Sequence, residues 1–237
     1  MHSLIIHMSS STERRENVDR LLSDLPNAEV IEAVDGRLPE VQAGVDLRPG
    51  DLHVPCYPFP VKGGEVGCFL SHRACWQKIV DEGWDAGFIA EDDLEIAPDK
   101  LETLFALVER NATPDCFIRI PPKDRESQAI VTDQEEDMAL FTPSIIGLQT
   151  TAQVVGRKAA ERLLKATQVL DRPVDTFLQM HWVTGQAIQT ILPNGALEKV
   201  FGTGSTVQQK SGGFVSKLTR EVGRARYRAA IKRRSQK

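Results

Sequence analysis

Three consecutive carboxylates, Glu91-Asp92-Asp93, follow directly on the apolar run Phe88-Ile89-Ala90. Acids at the end of a buried strand repel one another and need a counter-charge. Open parallel sheets bind ligands at the C-terminal ends of their strands. A hard divalent cation, Mg2+ or Mn2+, suits one or two carboxylates together with phosphate oxygens of a ligand. The pattern points to metal-dependent nucleotide chemistry. A solvated turn or a helix cap would use the same three residues differently.

A second group is Gly64-Glu65-Val66-Gly67-Cys68-Phe69-Leu70-Ser71-His72-Arg73. Its glycines allow a helix start to approach a ligand or a neighbouring strand closely. Ser71, His72 and Arg73 then offer a hydroxyl, an imidazole and a guanidinium within one turn, although His72 alone equally fits a hydrogen-bonded structural histidine. A third group is Arg14-Arg15 near the first turn, with Asp35-Gly36 after the second strand. An acid there can take a ribose hydroxyl or a base edge, and an arginine can meet a phosphate. The chain has no G-x-G-x-x-G and no P-loop, which counts against NAD and ATP.

These residues need a scaffold, and the hydrophobic pattern supplies one. Strands are predicted at Ser3–His7, 28–34, 86–90, 116–120, 151–155 and 187–192. Helices are predicted at 12–25 (with a Ser10/Glu13 capping box), 65–82, 99–109 and 157–167, with a short one after Pro173. Residues 37–64, rich in Pro and Gly, read as a functional loop. Residues 121–150, which include Asp133, Glu135, Glu136 and Asp137, read as a solvated loop. The expectation is one mixed α/β domain over 1–213 and a separate tail over 214–237.

Composition sets the outer limits. The 237 residues are 41% hydrophobic and 26% charged, enough for a buried core and against disorder of the whole chain. Four cysteines without a C-x-x-C pair argue against a zinc ribbon and suit reduced thiols. With no apolar run long enough for a bilayer or a signal peptide, the expected location is the cytosol. The net charge of −4 is uneven: residues 214–237 carry nine Lys/Arg and one acid, leaving 1–213 at −12. An acidic body excludes a nucleic-acid-binding domain. The basic tail can form an amphipathic helix with Phe214, Val215, Leu218, Val222, Ala225, Ala229 and Ala230 on one face. Such a helix is expected to attach to an anionic membrane surface, on the inner face of the cytoplasmic membrane.

Taken together, Leu4-Ile5-Ile6, Arg14-Arg15, Ala33-Val34-Asp35-Gly36, Gly64-Glu65-Val66-Gly67-Cys68, Leu70-Ser71-His72, Trp76, Glu91-Asp92-Asp93 and Arg172-Pro173-Val174-Asp175 stand in an order and spacing that resemble glycosyltransferase family 25. That family contains bacterial lipooligosaccharide galactosyltransferases and is related to the collagen galactosyltransferases. The resemblance implies an A-type glycosyltransferase fold, a Rossmann-like mixed sheet flanked by helices. It also implies a UDP-sugar donor, usually UDP-galactose, a Mn2+-type metal, and inversion at the anomeric carbon. Glu91-Asp92-Asp93 resembles the family's counterpart of the DxD motif, with Glu91 toward the donor and Asp93 on the metal. Arg14, Arg15, Asp35, Ser71, His72, Arg73, Glu91 and Asp92 become the expected donor-binding set. His181 is a candidate second metal ligand, or else a structural or acceptor-side histidine. The first strand departs from the family where Ile6-His7-Met8 stands, and His7 receives no role.

Inversion requires a base opposite the leaving group. Asp175 is the candidate, because Pro173 and a first helical turn would hold its direction; a plain helix cap is the competing role. The expected acceptor is a saccharide, free or lipid-linked. Two other readings remain at this point: a nucleotide-sugar-binding protein of the same fold without turnover, and a metal-dependent phosphohydrolase.

Overall fold

The computed structural model describes residues 1–126, 128–201 and 214–236. An eight-stranded sheet forms its centre, in the order β2-β1-β3-β8-β5-β9-β7-β6. In chain order the strands are β1 (His2–His7), β2 (Ala28–Glu32), β3 (Ala86–Glu91), β4 (Leu94–Ile96), β5 (Phe117–Arg119), β6 (Gln128–Glu135), β7 (Met138–Pro143), β8 (Ala152–Gly156), β9 (Gln189–Leu192) and β10 (Ala196–Glu198). The helices are α1 (Arg15–Asp24), α2 (Pro39–Ala43), α3 (Gly63–Asp81), α4 (Pro98–Asn111), α5 (Arg157–Ala166), α6 (Val174–Leu178), α7 (His181–Thr184) and α8 (Phe214–Lys232). Strands β2, β1 and β3 run parallel, and β8 enters antiparallel to both β3 and β5. A small second sheet pairs β10 with β4.

Side-chain alternation divides the core into two layers. Ile5, Phe88 and Val154 face α1 and α4, where they meet Leu21, Leu104 and Leu107. Their neighbours Leu4, Ile89 and Val155 face α3 and α5, where they meet Trp76, Ile79 and Leu163. A strand buried on both faces reads as a continuous apolar run, and helices on both sides are what such strands require. The Rossmann-like mixed sheet flanked by helices is therefore present as expected.

The expectation for 121–150 is corrected. Its middle, 128–143, is a hairpin, β6–β7, that extends the sheet edge. The apolar strand β7 is buried, whereas β6 is almost wholly exposed, so its polar residues carry no alternation that a sequence reading could detect. The acids lie at and beside its turn and pair with α4. Arg110 Nε and Nη1 reach Asp133 and Glu135 at 2.8 Å each, and Lys100 reaches Asp137 at 2.9 Å. The capping box is also misplaced. A 3-10 turn at Thr12–Arg14 precedes α1 with no side-chain cap from Ser11. It is α3 whose start is held this way, Glu65 accepting from the Lys62 N–H at 2.7 Å.

The tail lies against the body. In α8, Tyr227 and Ile231 are buried, and beyond it Gln236 bonds the Ile188 N–H, the Ile188 carbonyl and the Pro143 carbonyl at 2.9–3.0 Å. Of the expected apolar stripe, Val222, Ala225 and Ala229 face outward. The side chains of Phe214, Val215 and Leu218 lie outside the described residues. Among those described, no helix is long and apolar enough to cross a membrane.

Candidate functional site

Pairing of β1 with β3 sets Ile6 opposite Glu91, so His7 and Asp92 emerge together at the C-terminal end of the sheet. Asp92 is then taken up by the scaffold. His7 Nδ1 lies 2.8 Å from its Oδ2, and Arg14 donates to its Oδ1. Asn17, from α1, holds the same turn by donating to the carbonyls of Asp92 and Leu94 at 2.8 and 2.9 Å. His7, without a role in the sequence reading, thus anchors the middle acid.

All three acids border one cavity, together with Arg14, Asp35, Ser71 and His72, but only Asp92 has both oxygens taken up by His7 and Arg14. Glu91 accepts from Thr150 Oγ1 at 2.6 Å and from His72 Nε2 at 3.1 Å, and Gln153 Nε2 meets the other ring nitrogen at 2.8 Å. Burial alone would raise the Glu91 pKa, but the His72 and Thr150 bonds and the Arg14 charge bring it below its ordinary value. Asp93 goes the other way. Burial, then repulsion from Glu91, pushes it up to about 7, against the pull of Arg14 at 3.7 Å. Its Oδ1 is buried and has no hydrogen-bond partner among the described residues. A carboxylate oxygen left over in this way, beside a second carboxylate, fits a hard divalent cation.

Cys68, His72 and Glu91 also place ligand atoms within 4.8 Å of one another. That set suits a softer ion. However, burial pushes the Cys68 thiol well up and both His72 nitrogens are engaged, so the oxygen pair is the better cation site.

The cavity's rim depends on two glycines. A Cβ on Gly67 would overlap the Val34 carbonyl and lie 2.7 Å from the Gly36 nitrogen. Gly36 in turn runs against the backbone of Gly63 and Gly67. Backbone-to-backbone contact brings Asp35 to the cavity edge. Arg37 binds its carboxylate in a fork, 2.7 Å at each oxygen, and lowers the pKa to about 2. The enclosed volume is about 140 Å³, below the ~300 Å³ at which drug-sized sites begin. It encloses only part of a ligand as large as a nucleotide sugar.

The other predicted residues divide. Ser71 borders the cavity, but its hydroxyl accepts from the Val34 N–H and donates to the Gly67 carbonyl, joining α3 to the end of β2. Arg73 points to the far side of α3, where it binds the Leu164 and Thr167 carbonyls at the end of α5. Arg15 is exposed and pairs with Asp19 one turn on. His181 Nε2 lies 2.9 Å from the Arg234 carbonyl and is not brought to the acid cluster. Consecutive helical residues diverge by about 100°, and here that step carries Arg15 and Arg73 away from the cavity that Arg14 and His72 border.

Asp175 is half-buried in the first turn of α6. Its Oδ1 accepts from the Thr176 N–H at 2.6 Å and its Oδ2 from the Gln149 N–H at 3.4 Å. Burial raises its pKa against these bonds, and it feels both Glu91 and Arg119. The neighbouring Arg172 is fully buried. It grips Asp171 in a fork at 2.7 and 2.8 Å and donates to the Pro55 and His53 carbonyls and to the Tyr227 hydroxyl. One guanidinium thus ties the Pro-rich loop and α8 to the start of α6. Thr150, Ser11 and Gln153 have no counterpart in the sequence reading, because a lone hydroxyl or amide carries no pattern.

Comparison with known proteins follows the same lines. The family model described as Glycosyltransferase family 25 (LPS biosynthesis protein) matches residues 1–178. Inactive glycosyltransferase 25 family member 3 of Homo sapiens is 32% identical over 196 residues, covering 73% of this chain and 30% of that protein. Procollagen galactosyltransferase 2 of Homo sapiens is 30% identical over 192 residues (73% and 29%). Procollagen galactosyltransferase 1 of Danio rerio is 29% identical over 187 residues (73% and 30%). The chain therefore spans about 30% of the length of these relatives. The galactosyltransferase LgtC, solved with donor and acceptor sugar analogues, superposes with a TM-score of 0.37 at 8% identity, over 95% of this chain and 96% of that one. So slight a likeness carries no argument.

Proposed function

Because the chain belongs to glycosyltransferase family 25, we propose that it is an inverting, metal-dependent glycosyltransferase. It moves a hexose, galactose foremost, from a UDP-sugar to a saccharide acceptor of a cell-surface glycolipid or polysaccharide. The observation that carries this reading is the division of labour among three acids that border one cavity: Asp92 is bound by His7 and Arg14, whereas Asp93 keeps an Oδ1 with no hydrogen-bond partner among the described residues, beside Glu91. Asp93 would hold Mn2+ or Mg2+, with Glu91 beside it. Such a cation, when bound, offsets the negative charge that builds on a departing diphosphate.

The chain's own residues supply the rest. Arg14 brings positive charge to the same end of the cavity. Asp35, held by Arg37, presents a carboxylate suited to a ribose hydroxyl or base edge. His72 and Thr150 keep Glu91 ionised and aimed. In the transfer, an acceptor hydroxyl oxygen forms a bond to the anomeric carbon. The bond from that carbon to the phosphate oxygen breaks and UDP leaves with its electron pair. The hydroxyl proton passes to Asp175, whose raised pKa suits a general base. We place this work in the cytosol. There the outward stripe of α8, Val222, Arg226, Ala229 and Arg233, would meet an anionic membrane surface.

Since one relative is named inactive, a nucleotide-sugar-binding protein without turnover is the second reading. Titration calorimetry with UDP, with and without Mn2+, tests the first. Metal-enhanced binding is expected, and no binding in either condition would overturn it. Slow Mn2+-dependent hydrolysis of a UDP-hexose separates the two, since a binder alone shows none.

A further inference from the structure

A second cavity, of about 540 Å³, opens between α8, the Pro-rich loop, the segment before β8 and α6. It adjoins the first across the opening turn of α3: Gly64 borders the acid cavity, whereas Glu65 borders this one. Thr176, next to Asp175, also lines it. Its charge is lopsided. Arg224, Arg228 and Lys232 recur every four residues and so share one face of α8, and Lys62 stands on the loop side. Glu65, the one acid among the described lining residues, is already accepting from the backbone at the start of α3. Arg224 pairs with Glu221, but Arg228 and Lys232 have no ion-pair partner among the described residues.

The apolar part of the lining is aromatic. Tyr57 meets Phe59 and Tyr227 edge-on, with ring centroids 5.5 and 5.6 Å apart, and Arg224 lies over Phe59. Flat rings next to forked cations are a surface for a sugar ring that carries an anionic group: the rings take its C–H face and the guanidiniums take the oxygens. The volume lies within the range of sites for drug-sized ligands.

We propose that this cavity is the acceptor subsite and that it selects a saccharide bearing a phosphate or pyrophosphate group. The inference rests on the glycosyltransferase reading above and adds the class of acceptor. Phosphate on a soluble glycan and pyrophosphate joining a glycan to a lipid present the same chemistry to Arg228 and Lys232.

Calorimetry on the full chain, in the presence of UDP and Mn2+, tests it with three probes: chitobiose, chitobiose 1-phosphate, and chitobiose joined through pyrophosphate to a short polyprenyl chain. The phosphorylated probes are expected to bind about tenfold more tightly than chitobiose. Arg228→Gln/Lys232→Gln should erase that advantage, as should high salt. Equal affinity for all three probes, or an advantage that survives the double substitution, overturns the proposal. A larger gain for the polyprenyl probe marks the lipid-linked source, and equal gains mark the soluble one. Mn2+-dependent UDP-hexose hydrolysis should be unchanged in the double variant, since neither residue touches the acid cavity. If hydrolysis persists while the phosphate advantage is missing, the acceptor class is wrong and the transferase reading stands. If the wild type shows neither UDP binding nor hydrolysis, the reading itself fails.

Discussion

Replacing Arg172 with methionine, which is similar in length and uncharged, should unfold the region where loop, α6 and α8 meet. Arg172 is fully buried and makes forked bonds to Asp171 at 2.7 and 2.8 Å, with further bonds to two carbonyls and the Tyr227 hydroxyl. Removing it leaves the buried Asp171 carboxylate, among the described residues, with only the Leu52 N–H at 3.1 Å. Breaking a buried ion pair from one side costs about 3–5 kcal/mol. For a chain of this size that corresponds to a Tm loss of roughly 6–20 °C. Urea unfolding at neutral pH measures it. Asp171→Asn in the same chain removes the stranded charge and should restore about 1–3 kcal/mol. An Arg172→Met variant within about 1 kcal/mol of wild type would refute the reasoning, because the pair would then contribute nothing beyond packing. UDP affinity should be kept in whatever fraction remains folded, since no atom of the donor cavity is touched.

Asp93→Ala should abolish transfer and weaken Mn2+-enhanced UDP binding while the fold, checked by circular dichroism, survives; near-normal transfer would put the cation elsewhere. Asp175→Asn should lower kcat by orders of magnitude with UDP affinity unchanged, and full turnover would make Asp175 structural. A base must be deprotonated to act, so wild-type activity falls as pH drops through the Asp175 pKa. Burial raises that pKa, so the acid limb of kcat, read with UDP-sugar and Mn2+ saturating so that the cation keeps Asp93 ionised, should lie above the ordinary aspartate value of 3.8 and disappear in the asparagine variant. Gly67→Ala should cost about 1–3 kcal/mol of stability, because its methyl group meets the backbone of Val34 and Gly36; a neutral effect would show that α3 can retreat from β2.

The sequence made the sheet's centre readable because β1 and β3 are buried on both faces and show up as unbroken apolar runs. The acid triplet was readable for the same reason: it stands where such a run stops. What it could not reveal was which acid does what. That depends on His7 and Asn17, whose partners lie 85 and 75 residues away. Arg15 and Arg73 looked equivalent to Arg14 and His72 because adjacency in sequence conceals the helical turn between them. Strand β6 stayed hidden because it faces solvent on both sides of its pleat. Similarly, Glu198 lies beyond the last predicted strand, yet it pairs with Leu94 in the small sheet and adds to the charge around Asp93.

The stitching of Gln236 to β7 and to the entry of β9 bears on how the protein is made. The lining of the acid cavity is drawn from residues 6 to 93, and the side chains that hold its Glu91 and His72, Thr150 and Gln153, are in place by residue 153. The aromatic and basic cavity requires Tyr227 and Lys232, and Gln236 fastens their helix to the sheet. A chain that stops short of this helix has the lining of the first cavity but lacks a wall of the second. Emergence of this helix from the exit tunnel is therefore the step at which both cavities can exist together.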